Sequence, residues 1–313
     1  MTQTLTIKFL LFQVLIVVPL ILGATVRRRA LLGPKATKRL INLNLMLIEP
    51  VIVLWSIWGL ELTGSMLLLP VTGALLVLIG GLGGWLALRL RPLPRTSHAS
   101  FLISSALANH GFTLGGFVCY VLLGEAGLGR AFIFIAYFML VLMSVIFPYA
   151  RVMGRQPGSQ AGWLRNYVLT PQNLPLAAVL TAIALQLAGI GRPDWNPPID
   201  ALLVISISLY YFTVGFNFDF SRQGLYLPEN ALLAVIKFGL VPLAAWGLVQ
   251  LLPLDVLSLK VILIEACMPA ATYSVVSSVL FDLDARLASG LFIVNTLLFL
   301  LIILPLMVLV LPL

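Results

Sequence analysis

Residues 104–116 read SSALANHGFTLGG, and residues 265–274 read EACMPAATYS; each is a polar, helix-breaking insert inside an otherwise apolar run. Glycine costs a helix interior about 1 kcal/mol relative to alanine and proline about 3. The amide and carbonyl groups freed by such breaks find no partner in hydrocarbon. Inserts of this kind therefore persist at membrane depth only where protein or a water-filled cavity covers them. The position of the two inserts in the chain is informative as well. Pro19 and Pro175 lie 156 residues apart, Pro148 and Pro305 lie 157 apart, and an offset of 157 carries Phe112 onto Pro269. Both halves of the chain thus interrupt a helix at a matching place, one with glycines and one with proline.

The surrounding composition sets the solvent. Of 313 residues, 61% are hydrophobic and only 10% charged, and the mean hydropathy is +1.08. Such a chain is a polytopic membrane protein. Runs bounded by charge, proline or glycine clusters predict ten helical spans, at residues 7–26, 39–60, 65–90, 99–123, 130–153, 170–190, 199–219, 230–252, 256–281 and 285–312. At about 20 residues per crossing these are helices, since the alternating ten-residue segments of a membrane barrel are absent. The first run is too long for the apolar core of a signal peptide and reads as a spanning helix. Cys119 and Cys267 sit inside apolar runs and suggest neither a disulfide nor a metal site.

Charge gives the orientation. The loops after the odd-numbered spans carry Arg27, Arg28, Arg29, Lys35, Lys38, Arg39, Arg89, Arg91, Arg95, Arg151, Arg155, Arg165, Arg222 and Arg286, which is 14 of the 19 basic residues. By the positive-inside rule these loops are cytoplasmic and both termini are not. The formal charge of +8 is then a topology signal and not a nucleic-acid footprint. The basic loop 154–169 divides the chain into a first repeat, 1–153, and a second, 170–313. Because five spans is an odd number, two similar halves insert with opposite orientation, the architecture of many secondary transporters.

Ionisable groups inside the spans are candidate site residues, because an intramembrane charge is costly unless it meets a partner or a cavity. Glu49 precedes Pro50 midway along span two, and Glu265 precedes the second break. Lys237 enters span eight only seven residues past Asn230, shallow enough for its stem to snorkel. Asn109 offers both donor and acceptor groups as a substrate or ion ligand. His110 offers a group that titrates near neutrality. Tyr210, Tyr211 and Phe216 read as packing or interface residues. No H-E-x-x-H, Gly-x-Ser-x-Gly or Walker-type loop occurs in the sequence, so neither a zinc protease, a serine hydrolase nor an ATPase is suggested. The expected function is transport and not catalysis, with a non-transporting sensor or assembly partner as the competing class.

The chain resembles the auxin efflux carrier family of membrane permeases, itself related to the bile-acid sodium symporters. VVPLILGATVRRRALLGPKATKRLINLNLMLIEPVIVLWSIWGL is similar to the family's first two helices, ALANHGFTLGGFVCYVLLG to its helix four, and EACMPAATYSVVSSVLFDLDARLASGLFIVNTLLFLLIILPL to its proline-broken helix nine and the helix after it. Where family members usually carry a proline after the helix-four glycines, this chain has Gly115 and Gly116. The resemblance implies an all-α fold of ten transmembrane helices in two inverted five-helix repeats, with broken helices four and nine crossing. It further implies elevator-type movement of a small organic anion, such as an auxin-like or dicarboxylic acid, across a plasma or inner membrane. The substrate residues would be Asn109, His110, Gly111, Phe112, Thr113, Gly115, Gly116, Met268, Pro269, Ala271, Thr272, Tyr273 and Ser274. Glu265 falls where the symporters place a sodium-binding glutamate. Glu265, Glu49 and Asn109 are therefore the candidates for coupling to Na+ or H+, with a sodium symporter of bile-acid-like substrates as the alternative. No organic cofactor or resident metal is expected. The partners expected are the substrate, the bilayer and a second copy of the chain, as family members dimerise through their scaffold.

Overall fold

The computed structural model describes residues 2–111, 114–154, 174–195, 197–217 and 226–310, with side chains described from Val14 onward except at residues 34, 35, 37, 38, 41, 45, 217 and 310. Phe112, Thr113, the connecting loop from residue 155 and the basic residues Arg155, Arg165 and Arg222 lie outside the described residues.

Among the described residues the fold is entirely helical. The helices are α1 (Thr2–Arg28), α2 (Pro34–Leu43), α3 (Glu49–Trp58), α4 (Leu68–Leu90), α5 (Arg95–Ala106), α6 (Leu114–Phe134), α7 (Phe138–Val141), α8 (Phe147–Met153), α9 (Leu174–Leu187), α10 (Ile199–Asn217), α11 (Leu227–Val235), α12 (Val241–Val249), α13 (Val256–Ala266), α14 (Thr272–Leu280), α15 (Ala285–Leu298) and α16 (Leu304–Val310). Single π-helical turns at Asn44–Ile48, Leu142–Ile146, Ile236–Leu240 and Phe299–Ile303 join neighbouring α-segments. In each of the four a proline lies one or two residues past the turn, at Pro50, Pro148, Pro242 and Pro305. A proline has no N–H to give and its ring crowds the preceding turn, so the turn ahead of it widens while the helix continues.

Among the described residues, five helical runs are long and apolar enough to cross a membrane: Gly64–Leu90, Leu114–Met153, Ile199–Phe216, Leu227–Val249 and Ala285–Leu309. Met46–Trp58 and Leu174–Leu187 are shorter apolar helices. The expected spans 99–123 and 256–281 are each cut in two, into α5 with the start of α6 and into α13 with α14, and no half is long enough to count alone. Spans four and five are not separated by a loop. They share the run Leu114–Met153 and part at Gly124, whose φ of 74° is a left-handed conformation that glycine adopts without strain.

The outer surface is apolar, with Leu78, Leu243 and Leu301 among many exposed side chains. Facing lipid, such a surface incurs no hydration cost. Two helix pairs pack by close backbone approach or extended contact: α1 against α10, and α3 against α9. Gly23 meets the Phe212 carbonyl and Gly215 meets the Leu20 carbonyl, so α1 and α10 touch main chain to main chain. The remaining helices cluster around the two breaks, with α5 against α4, α14 and α15, and α13 against α6 and α12.

Candidate functional site

The two polar inserts meet. Helix α5 stops at Ala106 and α6 starts at Leu114; α13 stops at Ala266 and α14 starts at Thr272. Between them Ala108 and Ala270 form an isolated antiparallel bridge. The Asn109 amide donates to the Pro269 carbonyl at 2.8 Å, and the Ala271 amide donates to the Leu107 carbonyl at 3.2 Å. Each break therefore satisfies backbone groups of the other, which answers the cost of unwinding a helix at this depth. The internal offset aligned Pro269 with Phe112, but the residue that Pro269 bonds is Asn109, because the two extended segments cross antiparallel.

Four half-helix ends converge here, each with a partial charge. At the start of α6, the Gly115 amide donates to the Asn109 carbonyl at 3.0 Å and the Gly116 amide to the Gly111 carbonyl at 2.6 Å. Gly111 has φ of 62° and packs on Ile135, so a side chain is excluded on both conformational and spatial grounds. Its amide points at Glu265 and donates to the two carboxylate oxygens at 3.2 and 3.3 Å. Glu265 is fully buried and stands against Gly115, where a Cβ would collide with the carboxylate. Met268, Pro269 and Ala271 are buried in the second break, and the buried Ser274 hydroxyl donates to the Ala271 carbonyl at 2.7 Å.

Lys237 does not snorkel. It is 1% exposed, and its Nζ donates to the Leu107 carbonyl at 2.8 Å. The π-helical turn Ile236–Leu240 carries this ammonium inward, to the carbonyl end of α5. One interrupted helix thus has the Glu265 carboxyl group, an acceptor, at the amide end of α6 and the Lys237 amino group, a donor, at the carbonyl end of α5, each matched to the sign of the local dipole.

His110 is 6% exposed; its Nδ1 lies 2.7 Å from the Tyr137 hydroxyl, and its ring meets Phe134 edge-to-face at 5.2 Å. Thr272 is hydrogen-bonded to the Tyr210 hydroxyl, which makes Tyr210 a partner of the second break and not simply a packing residue. Tyr211, by contrast, is fully buried in the core. Tyr273 stacks edge-to-face on Phe138 at 5.2 Å. Glu49 comes near Tyr273 of the second break without bonding it. It is buried on α3 and accepts from Asn44 Nδ2 at 2.8 Å across the π-helical turn Asn44–Ile48, with no hydrogen bond to the crossing among the described residues. Tyr137 is the residue at the crossing that site reasoning from the sequence missed; the sequence singles out Lys237 as an intramembrane charge, with snorkelling as its competing reading. Lys237 carried a signal, a charge within an apolar run; Tyr137 carried none.

Comparison with known proteins agrees with this architecture. Residues 172–308 match the family described as Membrane transport protein. An uncharacterized transporter of Methanothermobacter thermautotrophicus is 24% identical over 287 residues, covering 90% of this chain and 92% of that protein. The chain is a membrane transport permease. These matches, over the second half of the chain for the family and over most of the chain for the relative, are likenesses to membrane transporters.

Proposed function

We propose that the protein is a secondary transporter or uniporter of a small organic anion, working by alternating access at the crossing of the two breaks. The observation that carries this reading is the Asn109–Pro269 and Ala271–Leu107 backbone exchange, which brings the amide ends of α6 and α14 together at one buried, polar place. Such ends attract negative charge. Two inverted five-span repeats, with ten spans in all, account for the helix pairing. Advancing each partner of the α1·α10 pair by five spans gives the pair of spans six and two, which is α9·α3, and both pairs are present. In this reading α1, α3, α9 and α10 are the scaffold and the helices around the crossing are the moving body. Both termini face away from the cytoplasm, in a plasma or inner membrane.

The test is melting of the purified protein in detergent against a panel of organic acids, in Na+ and in K+. A ligand that binds only the folded state raises the melting point by mass action. A shift with one anion that is lost in Asn109→Ala supports the reading, and a full shift in that variant sinks the site assignment. Glu265→Gln separates coupling from structure: an ion dependence that survives the exchange makes Glu265 structural.

A further inference from the structure

His110 has an end that the fold leaves unserved. Its Nδ1 is engaged by Tyr137, while Nε2 is buried and meets no partner in hydrogen-bond geometry among the described residues; the Glu265 backbone carbonyl lies close to the ring without completing such a bond. The direction of the Tyr137 contact decides what Nε2 is. If Nδ1 carried the proton and donated to the phenol oxygen, two groups would be left without partners, the Nε2 lone pair and the Tyr137 O–H hydrogen. If instead the phenol donates to Nδ1, the proton of the neutral ring sits on Nε2 and that N–H alone lacks a partner. The second arrangement also pairs a good donor with the better acceptor, since imidazole nitrogen accepts more strongly than phenol oxygen.

We infer that Tyr137 holds His110 as the Nε2–H tautomer, and that this N–H is the group that takes an oxygen of the transported anion. The inference rests on the transporter reading above and adds to it a named atom and a positioning residue. The surroundings are built for a fixed ring. Phe134 and Tyr137 lie on the same segment, both against His110. Tyr137 is itself wedged against Gly73 of α4, where any side chain would displace it. On the other side, the amide of Gly111, a residue in the left-handed conformation, donates to Glu265, so His110 sits between a residue paired with Pro269 and one paired with the Glu265 carboxyl group. A buried donor that the protein leaves unmatched suits a ligand that supplies the missing acceptor, and discriminates against one that cannot.

The sequence makes the test direct, because His98 and His110 are its two histidines. Protein carrying His98→Gln and 15N-labelled histidine, reconstituted in liposomes, gives one imidazole whose two nitrogens report the tautomer. The result expected is a protonated Nε2 and a bare Nδ1 in the ligand-free protein, and a mixture of both tautomers in Tyr137→Phe. Malate, succinate and indole-3-acetate serve as probes. For one that raises the melting point, the Nε2 resonance should move more than Nδ1, and Tyr137→Phe should weaken binding about 10-fold, the size of a misdirected hydrogen bond to a charged ligand. His110→Gln, which keeps an N–H, should bind more tightly than His110→Leu. A protonated Nδ1 in the ligand-free protein overturns the inference whether or not the variants fold. So does an anion that raises the melting point without moving Nε2, an outcome that leaves the transporter reading intact. If none of the three anions raises the melting point, the anion reading falls and the acceptor assigned to Nε2 falls with it.

Discussion

Replacing Gly115 by alanine sets a local gain against a loss at the crossing. Alanine is preferred to glycine in a helix by about 1 kcal/mol. At Gly115, however, the new Cβ would overlap the Glu265 carboxyl group, lying 2.6 Å from its Cδ and 2.7 Å from Oε1. Glu265 is fully buried and its oxygens hold the Gly111 amide. It can move aside only by giving up that contact and leaving a buried amide without its acceptor, at a cost of about 1–3 kcal/mol. If it stays, the overpacked carboxylate costs about 1–3 kcal/mol. Either way the loss is at least as large as the gain, and Gly115→Ala should cost about 1–3 kcal/mol relative to an unhindered glycine-to-alanine exchange, or up to about 2 kcal/mol net of the helix term. Reversible unfolding in mixed detergent micelles measures this. Gly247→Ala is the control, because nothing lies within 4 Å of a Cβ there, and it should stabilise by up to about 1 kcal/mol. In a Glu265→Ala background the collision is gone, so Gly115→Ala should become neutral or mildly favourable, a coupling that a double-mutant cycle resolves. The reasoning would be refuted if Gly115→Ala cost nothing relative to Gly247→Ala, or if its cost persisted unchanged without the Glu265 carboxylate.

Lys237→Glu should place an anion against the carbonyl end of α5 and cost more than about 3 kcal/mol, read as loss of monodisperse protein. Lys237→Met should fold, since the Leu107 carbonyl keeps the Ala271 amide. Gln186 Nε2 reaches the carbonyls of Ile57, Trp58 and Leu60 at 2.6, 2.9 and 2.7 Å, serving the end of α3; Gln186→Leu should lower unfolding free energy by about 1–3 kcal/mol through orphaned carbonyls, and an unchanged value would show that water serves them. Asp255, in the loop before α13, caps that helix by accepting from the Leu257 and Ser258 amides at 3.1 Å. Burial works to raise its carboxyl, but the Ser258 hydroxyl and amide, Arg130 and the Leu257 amide together hold it below the ordinary carboxylate value. With the folded value lowered, its contribution is present above the unfolded pKa of about 3.9 and lost as pH falls through the folded value. Melting points taken from pH 6 down to 3 should therefore drop less steeply in Asp255→Asn than in the wild type.

The breaks were legible in the sequence for a reason specific to lipid. In an apolar helix every glycine-rich or proline-bearing polar patch is an energetic exception, so SSALANHGFTLGG and EACMPAATYS stood out without any knowledge of packing. The direction of side chains was not legible, because a helix that is apolar all round has no hydrophobic face to orient it. Lys237 illustrates the difference. Its depth along the chain allowed it to reach the headgroups, and only the π-helical turn Ile236–Leu240 and the placement of α5 beside it turn the ammonium inward to Leu107. Tyr137 and His110 are 27 residues apart on segments joined through the turn at Gly124, a contact no periodicity announces. Glu49 and Glu265 looked equivalent as intramembrane carboxylates, yet the fold gives one to a side-chain amide on its own helix and the other to a backbone amide of the opposite break. The distinction follows from what surrounds each. Asn44 sits one π-turn before Glu49, so one oxygen of that carboxyl group has a local partner, and the group faces Tyr273 of the second break without hydrogen-bonding it. Nothing on α13 is placed to serve Glu265, and its only backbone donor among the described residues is Gly111, a residue that must be glycine to turn its amide that way. A carboxyl group dependent on the conformation of the other break is thus coupled to that break's geometry, so any step that rewinds residues 107–111 must also release Glu265.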